Sequence, residues 1–173
     1  MFGIEINTDL DSYNYWLPPV VVFGGNFLFF FYCQFKKDNS YIDVLWGLTF
    51  VFPIAALLIV KLVNGEPTFA RQWIMLALVT IWGARLALHI GVRHNGEDFR
   101  YQDMRKRWSV NGQCSFYTQA FVYVFMLQAL FSVITNSAAL FAVIFTPDNT
   151  LVWSDYVGIA VWITGFIIEV LGD

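Results

Sequence analysis

Apolar runs long enough to cross a bilayer recur from one end of this chain to the other, and no other feature limits its fold so strongly. They cover residues 17–33, 42–60, 73–92, 116–145 and 152–171, with short polar stretches between them; about 20 residues suffice for one helical crossing. In hydrocarbon each backbone N–H and C=O must be paired within its own segment, so runs of this kind become helices packed side by side. The fold class expected is all-α: a multipass transmembrane helical bundle of about five membrane helices, one membrane domain over residues 1–173. The run 116–145 exceeds one span and is interrupted by Thr135, Asn136 and Ser137, which predicts a fourth span ending there and a re-entrant or interfacial remainder.

Within the runs, Pro18 and Pro19 suit the first turn of the first helix, and Gly24 and Gly25 offer a thin spot for a neighbour. Trp16, Trp73, Trp108 and Trp153 lie near the run ends, where interface anchors are found. The lipid bilayer is the first partner expected. A composition of 58% apolar and 19% aromatic residues excludes an ordinary soluble domain. Glu5, Asp9 and Asp11 precede the first run without a single base, which is wrong for a signal or transit peptide, so that run is expected to be retained. Cys33 and Cys114 belong to no C-x-x-C or Cys/His cluster, so free thiols and no metal site are expected. No G-x-G-x-x-G, G-K-[ST], H-E-x-x-H or G-x-S-x-G occurs, and no basic face of the kind nucleic acid needs.

Charge gathers between Trp82 and Trp108. Arg85, His89 and Arg93 recur every four residues, a stripe about 12 Å long on one helix face. The following loop interleaves Glu97, Asp98, Arg100, Tyr101, Asp103, Arg105 and Lys106, a mixture able to hold an anion. Lys36, Lys37, Arg93, Arg100, Arg105, Lys106 and Arg107 fall on one side of the expected membrane; Lys61 and Arg71 fall on the other. The richer side is then cytosolic, with the N-terminus outside and the C-terminus cytosolic. Asp43, Arg85, His89, Glu169 and Asp173 converge in that half. Because an unpaired intramembrane charge is costly, a structural cluster is expected in which Asp43 contacts Arg85 or His89.

N-S-Y-I-D-V-L-W-G-L at 39–48, R-L-A-L-H-I-G-V-R-H-N-G-E-D-F-R-Y at 85–101 and G-I-A-V-W-I-T-G-F-I-I-E-V-L-G-D at 158–173 resemble the DUF1295 family of steroid 5-alpha-reductase C-terminal-like membrane proteins. The order and spacing of D-x-x-W-G, R-x(7)-R-x(3)-E-D-x-R-Y and G-x(6)-G-F-x-x-E-x-x-x-D match over nearly the whole chain. The resemblance implies an NADPH-dependent oxidoreductase that reduces a C=C bond of a steroid-like or other lipid enone, with a cofactor pocket on the cytosolic side. Arg93, Glu97, Asp98, Arg100, Tyr101 and Asp173 become cofactor-binding candidates, and Glu169 and His89 candidates for the catalytic acid. The endoplasmic reticulum membrane is the location implied, with an inner mitochondrial or bacterial plasma membrane as alternatives.

Members of that family continue past the equivalent of Asp173 with a Gln, further membrane segments and an R-H-P-N-Y-x-G-E stretch. The chain is therefore expected to be the front part of a longer protein, or a degenerate member, that holds NADPH poorly by itself. Two other functions remain open: a non-catalytic structural subunit among other membrane subunits, and a lipid or isoprenylcysteine-type methyltransferase.

Overall fold

The computed structural model describes residues 13–173, so the acidic segment containing Glu5, Asp9 and Asp11 lies outside the described residues. Helix α1 spans Tyr13–Lys36, α2 Tyr41–Val63 and α3 Ala70–Arg93. The short α4, Phe99–Trp108, leads through a turn to α5, Gln113–Ala120. A π-helical stretch, Phe121–Met126, carries α5 into α6, Leu127–Ile144, and α7 spans Trp153–Gly172. Among the described residues, five helical segments are long and apolar enough to cross a membrane. The protein is an all-α multipass bundle.

The fourth crossing corrects the expected break. Residues 113–144 form one continuous 32-residue helix, with no re-entrant segment. Asn136 is buried, and its Nδ2 donates to the Phe50 carbonyl at 3.1 Å. One turn earlier Ser132 Oγ donates to Thr49 Oγ1 at 2.7 Å, which itself donates to the Trp46 carbonyl. These polar residues join helices instead of ending one, as interhelical hydrogen bonds do where water is absent. The π-helical stretch brings Phe121 and Phe125 against Phe30 of α1, with ring centroids 5.3 and 5.2 Å apart in edge-to-face geometry.

Two helices approach with their backbones in contact at an unexpected pair of glycines. Around Gly24 and Gly25 there is open space, with nothing within 4 Å of where a Cβ would stand. The backbones instead touch where α2 crosses α3. A Cβ on Gly47 would stand 2.4 Å from the Gly83 carbonyl oxygen, and one on Gly83 would stand 2.3 Å from that of Gly47. Only glycine fits at both positions.

Short connections make neighbouring crossings antiparallel and give the bundle two ends. At one, Glu66 accepts from Tyr13 Oη and Lys61, while Arg71 grips Asp155 through Nε and Nη2 at 2.9 and 3.0 Å. Both bases of that end are thus paired. The opposite end gathers the α1–α2 loop, the C-terminus of α3, α4 and the C-terminus of α7, together with the remaining bases. Helix α7 buries none of its residues. Its least exposed positions, Asp155, Ile159, Trp162, Phe166 and Glu169, recur at helical spacing and form one stripe; Asp155 and Glu169 bond to α3, and Phe166 lies under Arg85.

Candidate functional site

At the base-rich end two loops interlock. Asp38, Asn39 and Ser40 follow α1, and the chain turns on Asp38, whose Oδ1 accepts from the Ser40 backbone N–H at 2.9 Å. Asp38 Oδ2 accepts from His94 Nε2 at 2.9 Å, and the His94 ring lies 4.3 Å from that of Tyr41. The Asn39 N–H donates to Glu97 Oε1, and the Asp98 N–H to Ser40 Oγ. Glu97 also takes both arms of the Arg105 fork at 2.9 and 2.7 Å, a bidentate pairing that fixes it firmly. Arg105 reaches on to the Lys37 carbonyl.

Helix α4 starts on this platform. Asp98 caps it, accepting from the Arg100 backbone N–H at 2.9 Å, and pairs with Arg100 Nε at 2.8 Å. The Arg100 side chain, and then its backbone N–H, hold the Asp98 carboxyl below the usual carboxylate range. The same hydrogen bond with Asp98 raises the Arg100 pKa further, so this guanidinium stays charged. Tyr101 is only 5% exposed, and burial, followed by its hydrogen bond to Asp43, pushes its phenol well above the ordinary value. It is a lasting donor.

The expected cluster of Asp43 with Arg85 or His89 is therefore replaced by two others. Asp43 accepts from Tyr101 Oη at 2.6 Å and from Arg100 Nη2 at 2.9 Å, because α4 folds back over the start of α2. Arg85 faces α7, donating to Glu169 Oε1 at 2.7 Å and to Asp173. Trp82 Nε1 donates to the other Glu169 oxygen at 3.0 Å. Each acid meets the base that helix rotation puts beside it.

Between the start of α2, the end of α3, the 94–98 loop and α6 lies a cavity of about 950 Å³, at the upper end of the range for small-molecule sites. Asp43, His89, Arg93, Glu97, Asp98 and Arg100 line it, whereas Tyr101, Arg85, Glu169 and Asp173 do not. Its outer rim is exposed and polar, with Arg93, Asn95 and Arg100; its inner wall is half-buried Trp46, Leu86, Ile90 and Gln128. Among the described residues, Arg93 makes one hydrogen bond, a long one of 3.5 Å to the Asp173 carbonyl. Among the described residues His89 has no hydrogen bond or ion pair, so it and Arg93 are the least committed titratable side chains of the lining.

Sequence reasoning missed His94, Asp38, Trp46 and Gln128 as parts of this site. The D-N-S turn chemistry after α1 was a usable signal for Asp38. A Gln inside an apolar run was another, since a polar side chain in a membrane helix needs a partner.

A family profile described as "Protein of unknown function (DUF1295)" matches residues 29–173, which include every residue of the cavity lining. The chain belongs to the DUF1295 family. No curated protein and no solved structure matches it. The D-x-x-W-G and R-x(7)-R-x(3)-E-D-x-R-Y motifs of this DUF1295 protein supply Asp43, Trp46, Arg93, Glu97, Asp98 and Arg100 to the lining of one cavity.

Proposed function

We propose that this DUF1295 protein is part of an NADPH-dependent membrane oxidoreductase that reduces a C=C bond of a steroid-like or other lipid enone. The observation that carries the reading is the 950 Å³ cavity with bases at its rim and an apolar inner wall. Its donor set fits a phosphate-bearing dinucleotide: Arg93 is nearly unpaired, Arg100 is 54% exposed despite its two acids, and Trp46 offers a flat surface. NADPH supplies the hydride that reaches the β carbon of the substrate.

The chain's own residues bind and orient. Arg93 and Arg100 take phosphate oxygens, with Asp43 and Asp98 holding Arg100 in place. Trp46, Leu86 and Ile90 keep the inner cavity dry. His89, unpaired and in the lining, donates to the substrate carbonyl or gives up the proton that the α carbon receives. It is a better acid candidate than Glu169, which is occupied by Arg85 and Trp82 outside the cavity. The base-rich end faces the cytosol from the endoplasmic reticulum membrane, in keeping with its share of Lys and Arg.

The test is equilibrium binding to the natural full-length protein in detergent, with NADPH and S-adenosylmethionine titrated side by side. Saturable NADPH binding that weakens at least tenfold in Arg93→Ala supports the reductase. Binding of S-adenosylmethionine alone would establish a methyltransferase instead, and binding of neither would end the enzyme reading.

A further inference from the structure

The inner wall of the cavity carries a donor with nothing to donate to. The Trp46 Nε1–H has no acceptor among the described residues, yet its neighbours do not seal it off, so a ligand can reach it. Where it projects follows from its place on α2. Gly47 meets α3 at Gly83, and Thr49 accepts from Ser132 of α6. At about 100° per residue, Trp46 falls in the sector between those two neighbours, where the cavity lies. Its indole is steadied edge-to-face against Phe50, with ring centroids 5.4 Å apart. Leu86 and Ile90 across from it have no donor, and Gln128 Nε2 is turned to Tyr101 Oη at 3.5 Å.

His89 faces the same space from α3. Trp46 stands five residues from the start of α2 and His89 four from the end of α3, and those two helix ends share the rim. Long helical side chains lean toward the N-terminus of their own helix. On two antiparallel helices Trp46 therefore leans toward the rim and His89 away from it, so the two converge. What they can hold follows from their hydrogens. An indole N–H donates without accepting, and among apolar neighbours it suits an oxygen that brings no hydrogen of its own. A carbonyl is such a group. We propose that the Trp46 Nε1–H binds the carbonyl oxygen of the enone, which leaves His89 to protonate the α carbon. This subsite rests on the reductase reading above and divides the two tasks that reading left to His89 alone.

The electrons balance with these roles. As the β carbon receives the hydride that NADPH supplies, the C=C pair moves to the bond between the α carbon and the carbonyl carbon, and the carbonyl pair moves onto oxygen. That oxygen gains negative charge, so its hydrogen bond to Trp46 strengthens as the barrier is crossed. His89 then gives its proton to the α carbon, the C=O bond re-forms, and water at the rim returns a proton to the imidazole.

The test isolates the carbonyl. Tritiated cholest-4-en-3-one and cholest-4-ene, which differ at the ketone alone, are titrated against the natural full-length protein in detergent, each affinity corrected for partition of the probe into micelles. The wild type is expected to prefer the enone by about five- to tenfold, the worth of one buried hydrogen bond. In Trp46→Phe, which keeps an aromatic ring beside Phe50, that ratio falls to near one, with the hydrocarbon little changed. The C=O stretch of the enone labelled with carbon-13 at the ketone lies lower when bound to the wild type than in hydrocarbon solvent, and returns upward in Trp46→Phe. Equal wild-type affinities for the two probes would overturn the subsite and leave the reductase reading, which NADPH binding tests separately. That comparison needs no variant, so a poorly folded Trp46→Phe does not remove it. A preference that survives in Trp46→Phe would equally overturn the assignment to Trp46. Binding of neither probe would overturn the steroid-like substrate and the subsite together.

Discussion

Replacing Gly83 with alanine tests the crossing of α2 and α3 on which the cavity depends. The added Cβ meets the Gly47 carbonyl oxygen at 2.3 Å, and the Val51 side chain at 3.1 Å. The first obstacle is backbone, so no rotamer change relieves it. The helices must separate by about 1 Å to reach ordinary contact. Overpacking of this kind costs roughly 1–3 kcal/mol where side chains can yield; here the upper end applies, offset by up to about 1 kcal/mol of improved helix propensity.

A net loss near 2 kcal/mol is expected, about a thirtyfold change in the folded-to-unfolded ratio. Reversible unfolding in mixed detergent micelles, titrated with sodium dodecyl sulfate, measures it. Gly24→Ala, with nothing within 4 Å of the new methyl, is the control and should be neutral or slightly stabilising. Gly47→Ala forces the same separation, so the double variant should cost little more than either single one, a clear departure from additivity. Wild-type stability in Gly83→Ala would refute the contact; full additivity would show that the two glycines do not face each other.

Three other expectations follow from the ion pairs. Arg85→Ala frees the end of α7 from α3, so hydrogen exchange should quicken over residues 165–173 while α2 stays protected; unchanged exchange there would mean that other contacts hold the helix. Tyr101→Phe removes a buried donor from Asp43 and should cost about 1–2 kcal/mol, more than Arg100→Ala, whose side chain is 54% exposed and whose ion pairs are screened; the reverse order would contradict the burial argument. Asp98 has a folded-state pKa below its ordinary value, so its capping contribution is complete above roughly pH 3.9 and is lost as pH falls through the lower, folded-state value. Protection at the start of α4, taken relative to the intrinsic exchange rate at each pH, should therefore fall in acid for the wild type and stay level in Asp98→Asn; equal protection profiles would deny the cap.

The sequence by itself determined the membrane helices and the end of the bundle at which charge collects. Transfer of a segment from water to hydrocarbon adds up residue by residue, and the spacing of Arg85, His89 and Arg93 on one helix needs no neighbour to be read. His89 and Arg93 indeed line the cavity together. Pairing is different, since it depends on how each helix is rotated and how deeply it sits. Asp43 and Arg85 lie at similar depth on adjacent helices, yet α4 reaches Asp43 first and α7 reaches Arg85. The same applies to Asn136, a break by composition that becomes a rivet once α2 presents the Phe50 carbonyl. Those choices belong to the tertiary structure, because the contact of Gly47 with Gly83 and the fold of α4 over α2 fix which faces meet, and neither is encoded in the residues of any one segment.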